Sequence, residues 1–167
     1  ALSAGARREF VLAVSAPRAA AGHDTAAMVY VRKLHVLEHY ATHRWADTPA
    51  HLLQPLLMRT LEDAAVFRAV VPSGSGVQAD LRLDTELVLL RQNFLVQPSR
   101  VELTLRVQLV NATGRRVLAA RYVEQAQGAA SDDAPGGVAA ANGALARALS
   151  QVALFCDEVA ASLPPRR

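Results

Sequence analysis

The chain is poor in the residues that most often reveal a function. A single cysteine, Cys156, excludes any disulfide framework within the chain and leaves the redox compartment unreadable. Lysine is nearly absent: of 18 basic residues all but one are arginine, set against 15 acidic ones. The resulting formal charge of +3 is modest and the arginines are scattered, which does not point to nucleic acid as a partner. Aromatic residues make up 5%, with one tryptophan. No apolar run approaches the roughly 18 residues expected of a membrane span. The opening ALSAGARREF has neither an initiator methionine nor the charged-then-apolar order of a signal peptide, so any targeting segment is expected upstream. Catalytic signatures are missing as well: there is no Gly-x-Ser-x-Gly, and no cysteine in an electropositive setting.

What is present is the material of a folded core. Of 167 residues, 51% are hydrophobic and 20% charged, with no linker between them, which fits one compact domain able to bury a core without staples. The clearest local signal is Thr48-Pro49, an N-cap followed by proline at the first helical position, where a missing N–H is no loss. From there Leu53, Leu56, Leu57, Leu61, Ala64 and Phe67 recur at three- and four-residue steps and predict a buried helical stripe.

Ahead of this helix, Glu9 to Ala16 reads as a buried strand closed by Pro17, and Ala27 to Leu37 as a second, half-apolar strand. Residues 38–47 lead into the helix, with room for a short extended piece. After it, VVPSGSGVQ is a breaker-rich loop; it lacks the preceding strand, following helix and Gly-Lys-Ser/Thr of a phosphate-binding loop. From Ala79 the period switches to two. Leu81, Leu83, Leu87 and Leu89 oppose Asp80, Arg82, Asp84 and Glu86, a strand with one wet face. Pro98 and Ser99 turn the chain. Val101 to Leu109 repeats the alternation, and Asn111-Ala-Thr-Gly114 fits a type I turn, with the glycine left-handed, into a third antiparallel strand over 115–125. The Asn-x-Thr here is read as turn chemistry rather than as a glycosylation site. Gly128 to Gly137 is a loop, and a last helix carries Val138, Leu145, Leu149, Val152, Cys156, Val159 and Leu163 until Pro164 and Pro165 stop it.

The candidates for chemistry are weak beside their structural explanations. All five histidines, His23, His35, His39, His43 and His51, lie in the first third, but only His39 and His43 have ligand spacing, and no third ligand is placed; no metal or other cofactor is expected. Cys156 falls on a core stripe beside Asp157 and Glu158, as a buried, inert thiol would. Asp80 with Asp84 suits a solvated strand face, and Asp132 with Asp133 a loop. Trp45, just before the cap, is either a plug closing the helix onto the sheet or part of a partner surface.

Taken together, AAMVYVRKLHVLEHYATHRWADTPAHLLQPLLMRTLEDAAVFRAVV, the later ADLRLDTELVLL and RRVLAARYVE resemble the ABC-type transport auxiliary lipoprotein family, accessory components of MCE-type lipid transport systems in double-membrane bacteria. The most specific part runs from Tyr40 through Trp45-Ala-Asp-Thr-Pro49 into the leucine-rich helix and on to Phe67-Arg68-Ala-Val-Val71. The resemblance implies a lipoprotein held by an acylated N-terminal cysteine at the outer membrane, facing the periplasm, with an MCE protein and an ABC transporter as partners. That cysteine is not in the sequence and Cys156 does not replace it, so membrane attachment is expected only through an upstream anchor and the chain itself is expected to be soluble.

The expectation is therefore one mixed α/β domain over 1–167 in the order β-β-α-β-β-β-α: about five strands in a mixed, mostly antiparallel sheet with two helices on its apolar face. Residues 1–8 and 164–167 are expected to be flexible tails. A wet face over Asp80 to Glu86 makes two layers sufficient; one helix on each face is the alternative. The function expected is a non-enzymatic accessory subunit, with a small-ligand or lipid-binding module as the other reading. Tyr40, Trp45, Asp47 and Pro49 are the candidate partner or lipid contacts; a homo-oligomer is compatible with this.

Overall fold

A computed structural model of the chain describes residues 9–113 and 115–165. The expected tails therefore lie largely outside the described residues, as does Gly114 of the type I turn. Eight strands and two helices form one sheet with a helical layer: β1 (Val11–Val14), β2 (Arg18–Ala19), β3 (Ala27–Lys33), β4 (Val36–Arg44), α1 (Pro49–Ala64), β5 (Ala69–Pro72), β6 (Leu81–Asn93), β7 (Arg100–Asn111), β8 (Arg116–Gly128) and α2 (Ala134–Ser162).

The strand β6 is the centre of the sheet. Along one edge it pairs in parallel with β1, β2 and β3 in succession, and β5 and β4 lie outside β1 and β3 respectively. Its other edge pairs antiparallel with β7 along its length, and β7 in turn with β8. The two long ladders come from the alternation of Leu81 to Leu87 and Val101 to Leu109, whose inward residues are all buried. Both helices lie on that face. Leu53, Leu57 and Leu61 of α1 meet Leu12, Val14, Leu83 and Leu87, and Val152, Phe155 and Cys156 of α2 join the same core. Each such large side chain contributes about 1.5 to 3 kcal/mol.

The opposite face is polar and open. Arg82 grips Asp84 at 2.9 and 3.0 Å, and the Ser15 hydroxyl donates to the same carboxylate at 2.8 Å. Partial burial pushes the Asp84 carboxyl up, and these hydrogen bonds more than offset it, so its pKa lies below the usual carboxylate value. Two layers suffice, because this face carries charges that are paired within the sheet.

Several expectations are corrected. The sheet has eight strands rather than about five. The expected strand over 27–37 ends at Lys33; His35 adopts a left-handed φ of 64° and the chain returns as β4, nine residues long and mostly exposed, which has no apolar alternation to announce it. β5 lies where the chain runs from the helix into the breaker-rich loop. Its four residues are too short to show a period, and Pro72 is tolerated at the end of an edge strand. Leu89 does not continue the buried row: the register with β7 slips between Leu87 and Leu89, and after this bulge Leu90 and Gln92 point inward instead. Leu56, assigned to the buried stripe, is 39% exposed, because the inner face of α1 is narrow and holds only the Leu53, Leu57 and Leu61 row. Phe67 is buried but lies beyond the helix, which stops when Ala65 turns left-handed with φ 54°.

The last helix begins four residues earlier than its apolar pattern suggests. Asp133 caps it by accepting from the Gly136 N–H at 2.8 Å, with Pro135 in the first turn. Gly136 and Gly137 read as loop residues but serve close packing: a Cβ at Gly136 would strike the Ser131 carbonyl, and one at Gly137 the Gln92 side chain. Over an 18-residue window α2 reaches a mean hydropathy of 1.2, long and apolar enough by composition to cross a membrane. Its Ala144, Ala148, Val152 and Cys156 are nevertheless fully buried in the core, as a docked helix requires.

The difference between neighbouring leucines is measurable. Leu57→Ala is expected to cost about 2 to 5 kcal/mol in denaturant unfolding, whereas Leu56→Ala is expected to cost about 1 kcal/mol or less. Equal losses would refute the packing described.

Candidate functional site

The residues before α1 each have a local role. The Thr48 hydroxyl accepts from the His51 N–H at 3.4 Å, and Pro49 opens the helix. Asp47 adds to this cap: one carboxylate oxygen accepts from the Thr48 N–H at 2.7 Å and the other lies 3.1 Å from His51 Nδ1. The Thr48 N–H, with smaller help from His51, holds the Asp47 carboxyl below the usual range. Asp47 is thus explained by capping.

Tyr40 is tied inward from β4. Its ring lies 4.7 Å from that of Tyr30, and its hydroxyl donates to Gln92 Oε1 at 2.7 Å. Gln92 Nε2 in turn donates to Ser99 Oγ at 3.1 Å, and the Ser99 N–H to Asp132 at 2.9 Å. Gln92 and Ser99 are buried, so this chain of polar groups satisfies atoms that would otherwise lie stranded under α2. Burial first, and then the neighbouring Tyr30, Asp133 and Asp132, push the Tyr40 phenol up to about 12.

Trp45 faces two ways. Its backbone N–H donates to the Ala26 carbonyl at 2.7 Å, and the half-buried ring packs against a small cluster of Val101, Ala129, Ala140 and Ala141. Its remaining surface lines a cleft of about 370 Å³ between α1 and α2. Leu52, Leu53 and Leu56 form the α1 wall, Ala141 and Leu145 the α2 wall, and Leu87, Leu90 and Leu103 the floor; Asn142 is the sole polar lining residue. No ionisable group enters it. The floor lies where the β6 bulge turns Leu90 inward, so the irregularity that overturned Leu89 also builds the cleft.

The structure thus brings Trp45, Pro49, Leu53 and Leu56 together on the cleft, while Tyr40 and Asp47 lie outside its lining. Leu52, Leu90 and Leu103 also belong to the site, and sequence reasoning did not single them out for it. One signal was available: Leu52 and Leu56, four apart beside the Leu53 and Leu57 pair, form a second apolar row with no sheet to cover it.

The remaining candidates do not assemble into a centre. His39 and His43 fall on the exposed strand β4, and among the described residues no group of three or more His, Cys, Asp or Glu side chains is suited to hold a metal ion. His23 is buried, and desolvation followed by the Arg91 charge lowers its pKa. Cys156 is fully buried in the core, and burial pushes its thiol up to about 12.

A polar second depression of about 480 Å³ lies on the open sheet face, lined by Ser15, Arg18, Arg82, Asp84, Glu86 and Arg106 among others. Within it Arg82 and Asp84 are paired with each other.

Comparison with known proteins bears on this geometry. The family model described as ABC-type transport auxiliary lipoprotein component matches residues 1–153. Among curated proteins none matches the chain significantly. Among solved structures, a Xanthomonas campestris protein superposes with a TM-score of 0.86 at 21% identity, covering 94% of this chain and 89% of that one. A hypothetical protein from Chlamydia trachomatis gives 0.64 at 9% identity over 93% and 99% of the two chains. PelC from Paraburkholderia phytofirmans, crystallised as a dodecamer, gives 0.56 at 12% identity over 95% and 94%. At these identities the likeness is one of fold.

Alkaline titration tests the polar chain under α2. A phenol whose folded pKa is raised from about 10 to about 12 stabilises the fold below pH 10 and loses that contribution as pH climbs through about 12. Tyr40→Phe is expected to cost about 1 to 3 kcal/mol at neutral pH, by leaving Gln92 Oε1 unpaired, and to flatten the fall in stability between pH 10 and 12. An unflattened alkaline limb would show that Tyr40 titrates freely.

Proposed function

Because the chain belongs to the ABC-type transport auxiliary lipoprotein family, we propose that it acts as a non-enzymatic accessory subunit of an MCE-type system that moves lipid across the cell envelope. The match over residues 1–153 is the observation that carries this reading. In it the domain stands in the periplasm, attached to the outer membrane by an acylated cysteine upstream of Ala1, and contacts an MCE-family protein that works with an inner-membrane ABC transporter. The cleft supports binding over catalysis, because its lining offers no group for acid-base or nucleophilic work. Trp45 and Pro49 are the proposed contact residues on it; Tyr40 and Asp47 lie outside its lining and serve the packing under α2 and the cap of α1.

Self-association belongs to the proposal too. PelC shares the fold and is a dodecamer, and β8 ends this sheet with a long edge whose Arg116, Arg121 and Glu124 disfavour indiscriminate pairing. The second reading, a stand-alone lipid or small-ligand binder, is favoured by the cleft alone.

Affinity purification of the tagged full-length lipoprotein from its own membranes tests the leading reading. An MCE-domain protein and an ABC transporter subunit are expected to be recovered with it. Trp45→Ala is expected to weaken that association about thirtyfold, the scale of an aromatic hot spot, with a lowered unfolding midpoint but a folded domain at the assay temperature. Failure of the wild-type protein to recover either subunit would overturn the proposal. Loss of both binding and fold in Trp45→Ala would make the tryptophan a core plug.

A further inference from the structure

We infer that one end of the sheet, formed by the β3–β4 and β6–β7 turns, is a docking surface for an anionic lipid bilayer. Parallel pairing sets Tyr30 beside Gln92 and Val31 beside Asn93, and the Phe94 N–H donates to the Val31 carbonyl at 2.8 Å, so the two turns leave the sheet side by side. Together they hold four of the nine exposed large apolar side chains among the described residues: Leu34 at 70%, Val36 at 46%, Leu95 at 44% and Leu37 at 39%. Apolar surface concentrated in this way marks a contact. None of the four lines the cleft or the polar depression; they project from turns rather than enclose a space. The inference goes beyond the transport role, because it concerns a membrane contact made by the folded chain itself and not by the upstream acyl anchor.

Charge gives the sign of that partner. Residues 31–37 and 94–101 contain no acid, and Arg32, Lys33, His35 and Arg100 are exposed among them. The acids that come next are already occupied: Glu38 accepts from Arg32 at 2.9 and 2.6 Å, Glu102 from Arg91 at 2.9 Å and Arg100 at 3.0 Å, and Asp132 from the Ser99 N–H at 2.9 Å. Order along the strand then selects a bilayer over a protein. Strand residues rise about 3.4 Å each, so with Leu34 leading, Lys33 and Arg32 stand about 3 and 7 Å behind it and Tyr30 about 13 Å behind. Tyr30 is the centre of an aromatic group, 4.7 Å from the Tyr40 ring and 5.9 Å from that of Phe94. A membrane interface presents the same series with depth: hydrocarbon first, then phosphates that attract Lys and Arg, then the head-group level where tyrosine rings collect. Apolar side chains of surface-bound elements enter by about 5 to 10 Å, which places Leu34 in the acyl boundary and the basic pair at the phosphates. Four apolar side chains on two turns also fall short of the roughly 20 to 30 residues that a stable protein interface engages on each side.

Flotation of the purified 167-residue chain, expressed without an acyl group, tests this with vesicles of phosphatidylglycerol and, separately, of phosphatidylcholine. Binding to phosphatidylglycerol is expected, with at least about tenfold weaker binding to phosphatidylcholine. Leu34→Glu is expected to weaken it at least about tenfold at an unchanged unfolding midpoint, and Lys33→Gln about fivefold, the scale of one basic residue at an anionic surface. Val77→Glu is the control: Val77 is 55% exposed in the loop that leads into the opposite end of β6, and binding is expected to be unchanged. Depth is read separately. Cys156 is fully buried, so Leu34→Cys takes a thiol-reactive nitrobenzoxadiazole label at that site alone, and its emission is expected to shift to the blue on adding phosphatidylglycerol vesicles. No binding to phosphatidylglycerol, equal binding to the two lipids, equal binding in Leu34→Glu, or an unshifted label would overturn the inference. Absence of vesicle binding together with lost recovery of the transport subunits in full-length Leu34→Glu would assign this end to a protein partner instead. The vesicles contain no transport subunit, so failure here leaves the proposed function standing, and the reverse also holds.

Discussion

The structure depends on one strand having both of its backbone edges occupied. β6 is thirteen residues long and runs through the middle of the sheet, where an unpaired N–H or carbonyl would be costly. Its antiparallel edge is satisfied by a single partner, β7, joined by a short connection. The parallel edge is satisfied piecemeal, by β1 over Leu81 to Leu83, β2 at Glu86 and Leu87, and β3 at Gln92 and Asn93. Three successive short strands do the work of one, so the first third of the chain is laid down alongside β6 in sequence order. β4 and β5 then extend the two ends outward.

A strand this long also has to change phase. Before the bulge Leu81, Leu83, Thr85 and Leu87 face the helices; after it Leu90 and Gln92 do. The helices divide the sheet accordingly, α1 over β1, β5 and β6 and α2 over β7 and β8, and they touch one another without sealing the seam. The cleft is that seam. Beyond it the inward position at Gln92 is polar, and the Tyr40, Ser99 and Asp132 partners let α2 begin directly above it, at a separation so small that Gly137 has no space for a side chain. Buried polar chains of this kind tolerate little, because losing one member strands the next.

How much of this was legible in the sequence follows from how local each signal is. The alternation in β6 and β7 and the Thr48-Pro49 start of α1 depend on neighbours a few residues away, and they are where the pattern puts them. β4 escaped because an exposed edge strand has no reason to alternate, and β2 and β5 because two and four residues hold less than a readable period. Leu89 and Leu56 were misplaced for a related reason. Spacing says which residues share a face but not where a ladder slips or how wide a strip the partner covers. The cleft was out of reach altogether, since its floor, two walls and end come from β6, β7, α1, α2 and Trp45, and only the fold brings them together.

The two faces of the sheet differ in what they leave unsatisfied. On the open face the charges answer one another: Arg82 with Asp84 and Ser15, Arg91 and Arg100 with Glu102. A ligand that binds at these pairs must displace partners of equal quality. On the helical face the unsatisfied surface is apolar, a leucine-walled gap left by two helices of different reach. Apolar recognition is carried by shape and exclusion of water rather than by particular functional groups. Leucine, proline and alanine supply it, and these residues look the same in a sequence whether they fill a core or wait beside one. Trp45 alone departs from that anonymity, because half of its ring is committed to the packing of Val101, Ala140 and Ala141 and the other half is left over. A residue anchored so firmly on one side presents the other without losing rotamer freedom on binding, which is the condition under which a modest apolar surface yields useful affinity.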